Sequence, residues 1–484
     1  MLSDILLVFA EHRWHDAKIM HSPIRLAILI ATAVFISYRS LAADTSAAAT
    51  NQFFHAAKID GRWWLITPDG HRFISKGVTT VTMTADFIQG THDSPYLETN
   101  KAKYGNPAAW RKATAERLMS WGFNSLGAWS DDAVSEITVN KQRLAYAPIV
   151  DLGSHFVGVK QKGAAWLHGI FPDAFDPDFE TIVHQRAREV CTPRANDRWL
   201  LGWFADNELR WGPDWRGSDD LLTMFMDLPA SIPGKKAAVD LMRERYTDVK
   251  KFNDVWNTTF ASWDEVVEAT SIKQPYTRKA VYQQNQESER QANEAEPKRA
   301  AFIADSDAFL ARLAERYFRI TAEAIKAADP NHMNFGSRFA YVPPQPVVAA
   351  AAKYLDAISF NCYRFDPRET IARYSVFGKP LIIGEFSFRG QDVGLPNSRG
   401  GGERVKTQAD RAAAYKNFVT WGLETPYLVG YHWFEHCDEP KEGRFDGENC
   451  NYGVVNIHDE VYVDLTRAMT EINAQAETLH QGSK

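Results

Sequence analysis

The sequence of 484 residues is poor in cysteine. It has four, Cys191, Cys362, Cys437 and Cys450, and no C-x-x-C pair. That excludes a disulfide scaffold and argues against a structural zinc site. Cys437 and Cys450 bracket a short loop and could pair in an oxidising compartment, but spacing alone does not decide it. Basic excess is also lacking: Lys and Arg number 55 against 61 Asp and Glu, a net charge of −6, so there is no field to gather nucleic acid. No apolar run is long enough to cross a bilayer, and no internal repeat is visible.

Aromatic side chains are plentiful, with 15 Trp, 17 Tyr and 28 Phe. Most must be core, but a surplus suits a groove that stacks on sugar or base faces. Near the N-terminus, Arg25 precedes an apolar run over residues 26–36, and the small residues Ser40 and Ala42 follow. That is the layout of a secretory signal, expected over residues 1–43 with its true start at Met20 and the first nineteen residues an extension. The competing reading is an anchor that is never cleaved. Either way the folded part is expected in the periplasm or outside the cell, without stable insertion into a membrane.

Residues 44–75 contain two Asp-Gly turns, Asp60-Gly61 and Asp69-Gly70, around an apolar run, which predicts a β-hairpin. From 76 to 484, strand-like and helix-like segments alternate. KGVTTVT (76–82), FNSLGAWS (123–130), YAPIVDLGSHF (146–156), RWLLGWFADNELRWG (198–212), NHMNFGSRFAYV (331–342), AISFNCYRFDP (357–367), GKPLIIGEFSFRG (378–390) and PYLVGYHWFEHCDEP (426–440) read as strands. Apolar strands alternating with helices predict a parallel sheet buried on both faces. Eight such units predict an α/β fold of the (β/α)8 TIM-barrel kind, with an N-terminal hairpin and a helical insertion after strand 4. An open doubly wound sheet would need a glycine-rich phosphate loop after the first strand, and KGVTTVTMTAD has none.

In such a barrel the chemistry sits at the C-terminal ends of the strands. The fourth strand ends in Asp206-Asn207-Glu208 and the seventh in Gly384-Glu385-Phe386. Two glutamates on nearly opposite strands suit a retaining glycosidase, one protonating the leaving oxygen and the other attacking the anomeric carbon. Glu208 and Glu385 are therefore the expected catalytic pair. Asn207 beside Glu208 can bind a sugar hydroxyl. Tyr363 or Arg338 can hold Glu385 ionised, Asn361 lies at the end of the sixth strand, and Trp129 and Trp433 can stack on sugar rings. His155, at the end of the third strand segment, is expected to be structural. Each has a bland alternative: a strand-end Glu is often a salt-bridge partner, and a Trp is usually core.

The segments DGRWWLITPDGHRFISKGV, WGFNSLGAWS, FDPDF, LLGWFADNELRWG, DPNHMNFGSRF, KPLIIGEFSF and PYLVGYHWFEHCDEP followed by FDGENCNYGVVN give the chain a family resemblance. It resembles clan A glycoside hydrolases, most closely the family 50 β-agarases, over residues 58–456. The resemblance implies Glu208 as acid/base, Glu385 as nucleophile, and a β-linked, galactose-containing glycan as substrate. A related β-galactosidase or another clan A β-glycosidase is the alternative. A barrel that binds glycan without cleaving it is disfavoured by the presence of both carboxylates.

One motif competes. His432-x-x-Glu435-His436 has the spacing of a class of zinc metalloproteases. That reading requires a helix to put both histidines on one face, whereas PYLVGYHWFEHCDEP reads as a strand and its loop. No metal and no cofactor is expected. Glu435, His436 and Asp438 are instead expected at the rim, touching sugar hydroxyls. Nothing in the sequence fixes an oligomeric state.

Overall fold

The computed structural model describes residues 52–279 and 286–482. The expected signal segment lies outside them. The chain divides into residues 1–48 and 49–484, and the second unit carries everything that follows.

Its first element is an antiparallel sheet of β1 (His55–Ile59), β2 (Arg62–Ile66) and β3 (Arg72–Phe73). Asp60 and Gly61 both take positive φ, 52° and 80°, the pairing of a two-residue hairpin turn whose twist matches its strands. The second Asp-Gly turn adds a third strand, so the expected hairpin is a three-stranded meander.

The parallel strands follow in chain order: β4 (Ser75–Val78), β5 (Ser125–Leu126), β6 (Ala145–Tyr146), β7 (Gly202–Phe204), β8 (Met333–Gly336), β9 (Ile358–Asn361) and β10 (Leu381–Phe386). Then come the short β11 (Phe388–Gly390) and β12 (Glu403–Val405), which pair with each other, and finally β13 (Leu428–Trp433). Each of the eight segments read as strands overlaps one of these parallel strands, the third by Tyr146 alone. Continuous ladders form a six-stranded sheet in the order β6-β5-β4-β13-β10-β9 and a two-stranded sheet β7-β8. The two meet through isolated parallel pairings, Tyr146 with Leu200 and Ile149 with Phe204 on one side, and Phe339 with Phe360 on the other. The strands are short because the chain leaves them early. Thr80, Trp129, Asp151, Glu208 and Arg338, each just beyond one of β4 to β8, all have positive φ, a backbone that cannot continue a ladder.

Helices connect the strands. Pro107–Ser120 begins at a proline behind the N-cap Asn106, whose side chain accepts from Ala109 N, as such starts should. Gln408–Glu424 opens with a capping box from Thr407 and Asp410. Among the described residues, five short helices follow β7 between Leu221 and Ala295, then the long helix Pro297–Ala328. The last of the five, Gln286–Ala295, is almost wholly polar. Sequence reading missed the helix Pro95–Tyr104, which has almost no apolar periodicity to betray it. The expected third strand shortens to Ala145–Tyr146, and Leu152–Phe156 is helical. His155 is thus on a helix rather than at a strand end.

Among the described residues two main apolar cores result, beside a small cluster of Phe434, Cys450 and Tyr452. The larger packs strands against helices. The smaller gathers Ala145, Leu201, Phe204, Phe335, Ile382 and Val429 from β6 to β13 and their flanks with Phe54 and Leu65 from the N-terminal sheet. The meander therefore closes the end of the parallel strands opposite the catalytic candidates. All four cysteines are buried free thiols, so Cys437 and Cys450 are not paired. No helix among the described residues is long and apolar enough to cross a membrane.

Candidate active site

Glu208 lies just past β7, Asn361 ends β9 and Glu385 sits within β10. Glu385 and Asn361 are register partners. The Asn361 side chain donates from Nδ2 to Glu208 Oε1 at 2.8 Å and lies 3.4 Å from Asn207 Oδ1. Asn361 thus ties the Glu208 side chain to the strand beside Glu385. Both are buried, Glu208 at 8% exposure and Glu385 at 5%, but not sealed, as carboxyls that meet a substrate must be.

Their surroundings differ. Glu385 Oε2 accepts from Tyr363 OH at 2.5 Å, and its Oε1 lies 2.8 Å from Arg338 Nη2. Burial raises the Glu385 carboxyl to about 7; Arg338 opposes the rise, the Glu208 charge adds to it, and Tyr363 opposes it. The Tyr363 hydroxyl is pushed up by burial and by Glu385, so it stays a proton donor. Arg338 is fully buried, bonds Gly384 O at 2.9 Å, and stacks its guanidinium 4.5 Å from the Trp129 ring centroid. A cation so held between a ring and a carboxylate is fixed in position. Gly384 has to be glycine, because a Cβ there would lie 2.8 Å from Arg338 Nε and 3.0 Å from Asn361 Oδ1.

Glu208 is held by neutral donors. Trp166 Nε1 donates to its Oε2 at 2.8 Å, Asn361 to its Oε1. Arg216 ties both backbones together, bonding Trp166 O at 3.0 Å and Glu208 O at 2.9 Å. Trp166 comes from the aromatic segment after β6. That segment has no strand or helix periodicity, so only its richness in aromatics could have pointed to it.

Several buried polar atoms here have no partner. Arg338 Nε and Nη1, Asn361 Oδ1, Ser337 Oγ and Ser387 Oγ have no hydrogen bond, and the contact to Glu385 Oε1 has poor hydrogen-bond geometry. Orphaned polar groups are rare in native interiors, and a cluster of them fits a site that a polar ligand completes.

Seven of the eight expected site residues, Glu208, Glu385, Asn207, Tyr363, Arg338, Asn361 and Trp129, fall within this one network. Trp433 does not. It is fully buried, donates to Tyr452 O at 2.8 Å, and packs on Phe386 and Tyr415 on the helix side of the sheet. Successive residues of a strand face opposite ways. His432 points into the smaller core, where its Nε2 meets Ser75 Oγ at 2.9 Å, and Trp433 must then point outward. The next ring, Phe434, contacts Tyr363 at 6.3 Å between centroids, so it, not Trp433, lies beside the network.

The other rim assignments also change. His436 is fully buried between Tyr96 and Trp110. Asp438 is buried and accepts from Asn451, Gly453 and Tyr462, so it ties down its own loop. The two histidines keep separate company on a strand and the loop beyond it, so the helix required by the zinc motif is absent. Glu435 is buried, and its carboxylate, with those of Asp86 and Glu439, brings oxygens within 4.8 Å of one another. This is the donor set among the described residues that has the composition of a cation site. Arg444 Nε lies 3.0 Å from Glu439 Oε1 and answers part of that charge.

No family model matches the chain. Two curated relatives do. Beta-agarase B of Vibrio sp. (strain JT0107) is 28% identical over 487 residues, covering 87% of this chain and 48% of that protein. Beta-agarase A of the same strain is 31% identical over 494 residues, covering 88% and 46%. The solved structure of PfGH50B superposes with a TM-score of 0.70 at 27% identity, over 91% of this chain and 68% of that one. The chain spans about half the length of the curated relatives it matches. In sequence and in its mixed α/β fold, the chain is similar to β-agarases.

Proposed function

We propose that the protein is a retaining β-glycoside hydrolase acting on a β-linked, galactose-containing glycan, as its β-agarase relatives suggest. The observation that carries the reading is the pair Glu208 and Glu385 in unlike environments, with Asn361, the register partner of Glu385, bonded to Glu208. The eight parallel strands are read as a (β/α)8 barrel of the clan A kind. The isolated pairings at both edges of the two-stranded sheet support that closure. Residues 1–43 are read as a signal, and the barrel as a secreted or periplasmic enzyme.

Glu385, ionised and aimed by Arg338 and Tyr363, attacks the anomeric carbon. The bond to the leaving oxygen breaks as Glu208 delivers its proton there. Glu208 then takes a proton from water, which attacks the same carbon, releases the sugar from its ester with Glu385 and restores both carboxyls. Asn361 and Asn207 are placed to bond a sugar hydroxyl next to the reacting carbon. Tyr363 and Phe434 flank the same space.

The test is a panel of β-linked galactans and aryl β-glycosides, with the anomeric form of the first product followed by NMR. Net retention is expected. Glu208→Gln should lower kcat by about 10²–10⁴-fold on glycans, and Glu385→Ala should abolish turnover. An inverted product, or undiminished activity in Glu385→Ala, would overturn the assignment.

A further inference from the structure

Three carboxylates meet beside the catalytic candidates without belonging to their network. Asp86 comes from the connection after β4, and Glu435 and Glu439 from the connection after β13. β4 and β13 are parallel neighbours, so their connections leave the sheet side by side, and Gln89 N donates to Gly443 O at 2.8 Å between them. Asp86, Glu435 and Glu439 each offer one carboxylate oxygen, and the three oxygens lie within 4.8 Å of one another. Two calcium–oxygen bonds of about 2.4 Å each span that separation.

Like charges do not gather in an interior unless something answers them. Glu435 is 1% exposed and Glu439 0%, while Asp86 is the partly exposed member of the three. The cation that faces them is Arg444, and its guanidinium is already divided. Glu439 Oε1, Asp446 Oδ2 and Glu448 Oε2 each lie 3.0 Å from it. Glu439 Oε2 is taken by Cys450 N at 2.6 Å. Glu435 Oε1 has no hydrogen-bond partner. A buried carboxylate oxygen without a donor, facing two further carboxylates, is a ligand atom in want of a cation, and this is an observation separate from the acidity of the cluster.

We propose that Asp86, Glu435 and Glu439 bind a hard divalent cation of the calcium kind. Carboxylate oxygens alone select Ca2+ or Mg2+ over zinc or copper. A set gathered from two connections at irregular angles suits Ca2+, because Mg2+ demands near-ideal octahedral geometry. The role is to position a segment and not to join the chemistry. Glu435 follows Phe434, whose ring lies 5.4 Å from the Arg444 guanidinium and 6.3 Å from the Tyr363 ring, and Tyr363 donates to Glu385. A cation on Glu435 and Glu439 pins the stretch that packs against this tyrosine. The site stands whether or not the glycosidase reading holds.

The test measures binding and stability on the full chain, freed of metal by EDTA and dialysis. Ca2+ is titrated calorimetrically into the wild type, Glu435→Gln and Asp86→Asn, and thermal unfolding of each is followed with and without Ca2+. The wild type should bind one Ca2+ per chain and gain about 3 °C in Tm at roughly 100-fold over Kd. Each variant should lose at least the roughly 10–100-fold in affinity that even an outer-shell change costs a metal site, and with it the Tm response. Asp86→Asn, at the partly exposed position, keeps the test readable if Glu435→Gln fails to fold. Absence of Ca2+ binding by the wild type would overturn the proposal, as would Ca2+ binding that survives both substitutions. A metal-free Glu435→Gln more stable than the wild type, together with a wild type indifferent to Ca2+, would show instead that protons alone neutralise the cluster.

Discussion

Glu208, Trp129 and Arg338 all carry left-handed backbone, with φ of 47°, 59° and 42°. For residues with a Cβ such a conformation costs of the order of 1–3 kcal/mol each, and it persists where the surroundings over-determine it. Here it turns a strand end so that a long side chain reaches the site. The most direct residue-level consequence concerns Glu385. Its carboxyl is raised to about 7 by burial against the opposing pull of Arg338. A nucleophile works ionised, so kcat/KM should fall as pH drops through about 7. Arg338→Gln removes a cation that favours ionisation, so the acidic limb should move to higher pH; a limb that stays in place would show that Arg338 does not act on Glu385. Trp166→Phe keeps the ring and deletes the N–H to Glu208. Its rate loss should be large for sugar leaving groups and small for a dinitrophenyl leaving group, which departs without a proton. Equal losses on both would mean that Trp166 only packs.

At the scale of elements, Asp459 is a hub. Its carboxylate, fully buried, takes Arg117 at 2.8 Å, Lys103 at 2.7 Å, Tyr104 at 2.6 Å and Tyr96 at 3.0 Å. It thereby fastens Pro95–Tyr104 and Pro107–Ser120 to the loop after β13. Burial works against its charge, but Arg117, Lys103 and Tyr104 overcome it and hold the carboxyl well below the usual range. A depressed carboxyl stabilises the fold above its unfolded pKa and loses that contribution as pH falls through the folded one. Asp459→Asn should cost about 3–5 kcal/mol in urea unfolding at neutral pH, and the gap to wild type should narrow only under strong acid. Gly77 shows a different constraint. A Cβ there would lie 2.4 Å from His432 Cδ2, so Gly77→Ala should destabilise by about 1–3 kcal/mol through overpacking.

The element scale also shows where sequence reading stops. β10 (LIIGEF) and β13 (LVGYHW) were legible because each is an apolar run bounded by turn or polar residues. The helix Pro95–Tyr104 was not, because tertiary anchoring by Tyr96 and Asn100 replaces an apolar stripe. Trp433 was assigned to the wrong face because a strand's parity is set by which residue meets the core, and His432, a polar side chain, took that inward place. Its ring is kept neutral there, burial and Arg338 lowering its pKa to about 3. Glu208 and Glu385 could be singled out as candidates because both stand at the polar ends of apolar strands, the fourth and the seventh of eight. Trp166 could not, because nothing local ties an irregular aromatic segment to a carboxylate 42 residues away.

For the whole molecule, the N-terminal sheet covers one end of the parallel strands and the loops at the other end carry the candidate site. The connections after β6 and β13 supply Trp166 and Phe434, so the parts least predictable from pattern are those that border the site. The scaffold sets where the carboxylates stand, and the connections set what reaches them.

The claim on which this rests is a covalent glycosyl ester on Glu385. A 2-deoxy-2-fluoro β-glycoside of the cleaved sugar, with a good leaving group, should inactivate the enzyme, and peptide mass mapping should place the added sugar on the peptide bearing Glu385. A label on Glu435 or another acid, or turnover without any trapped adduct, would contradict it.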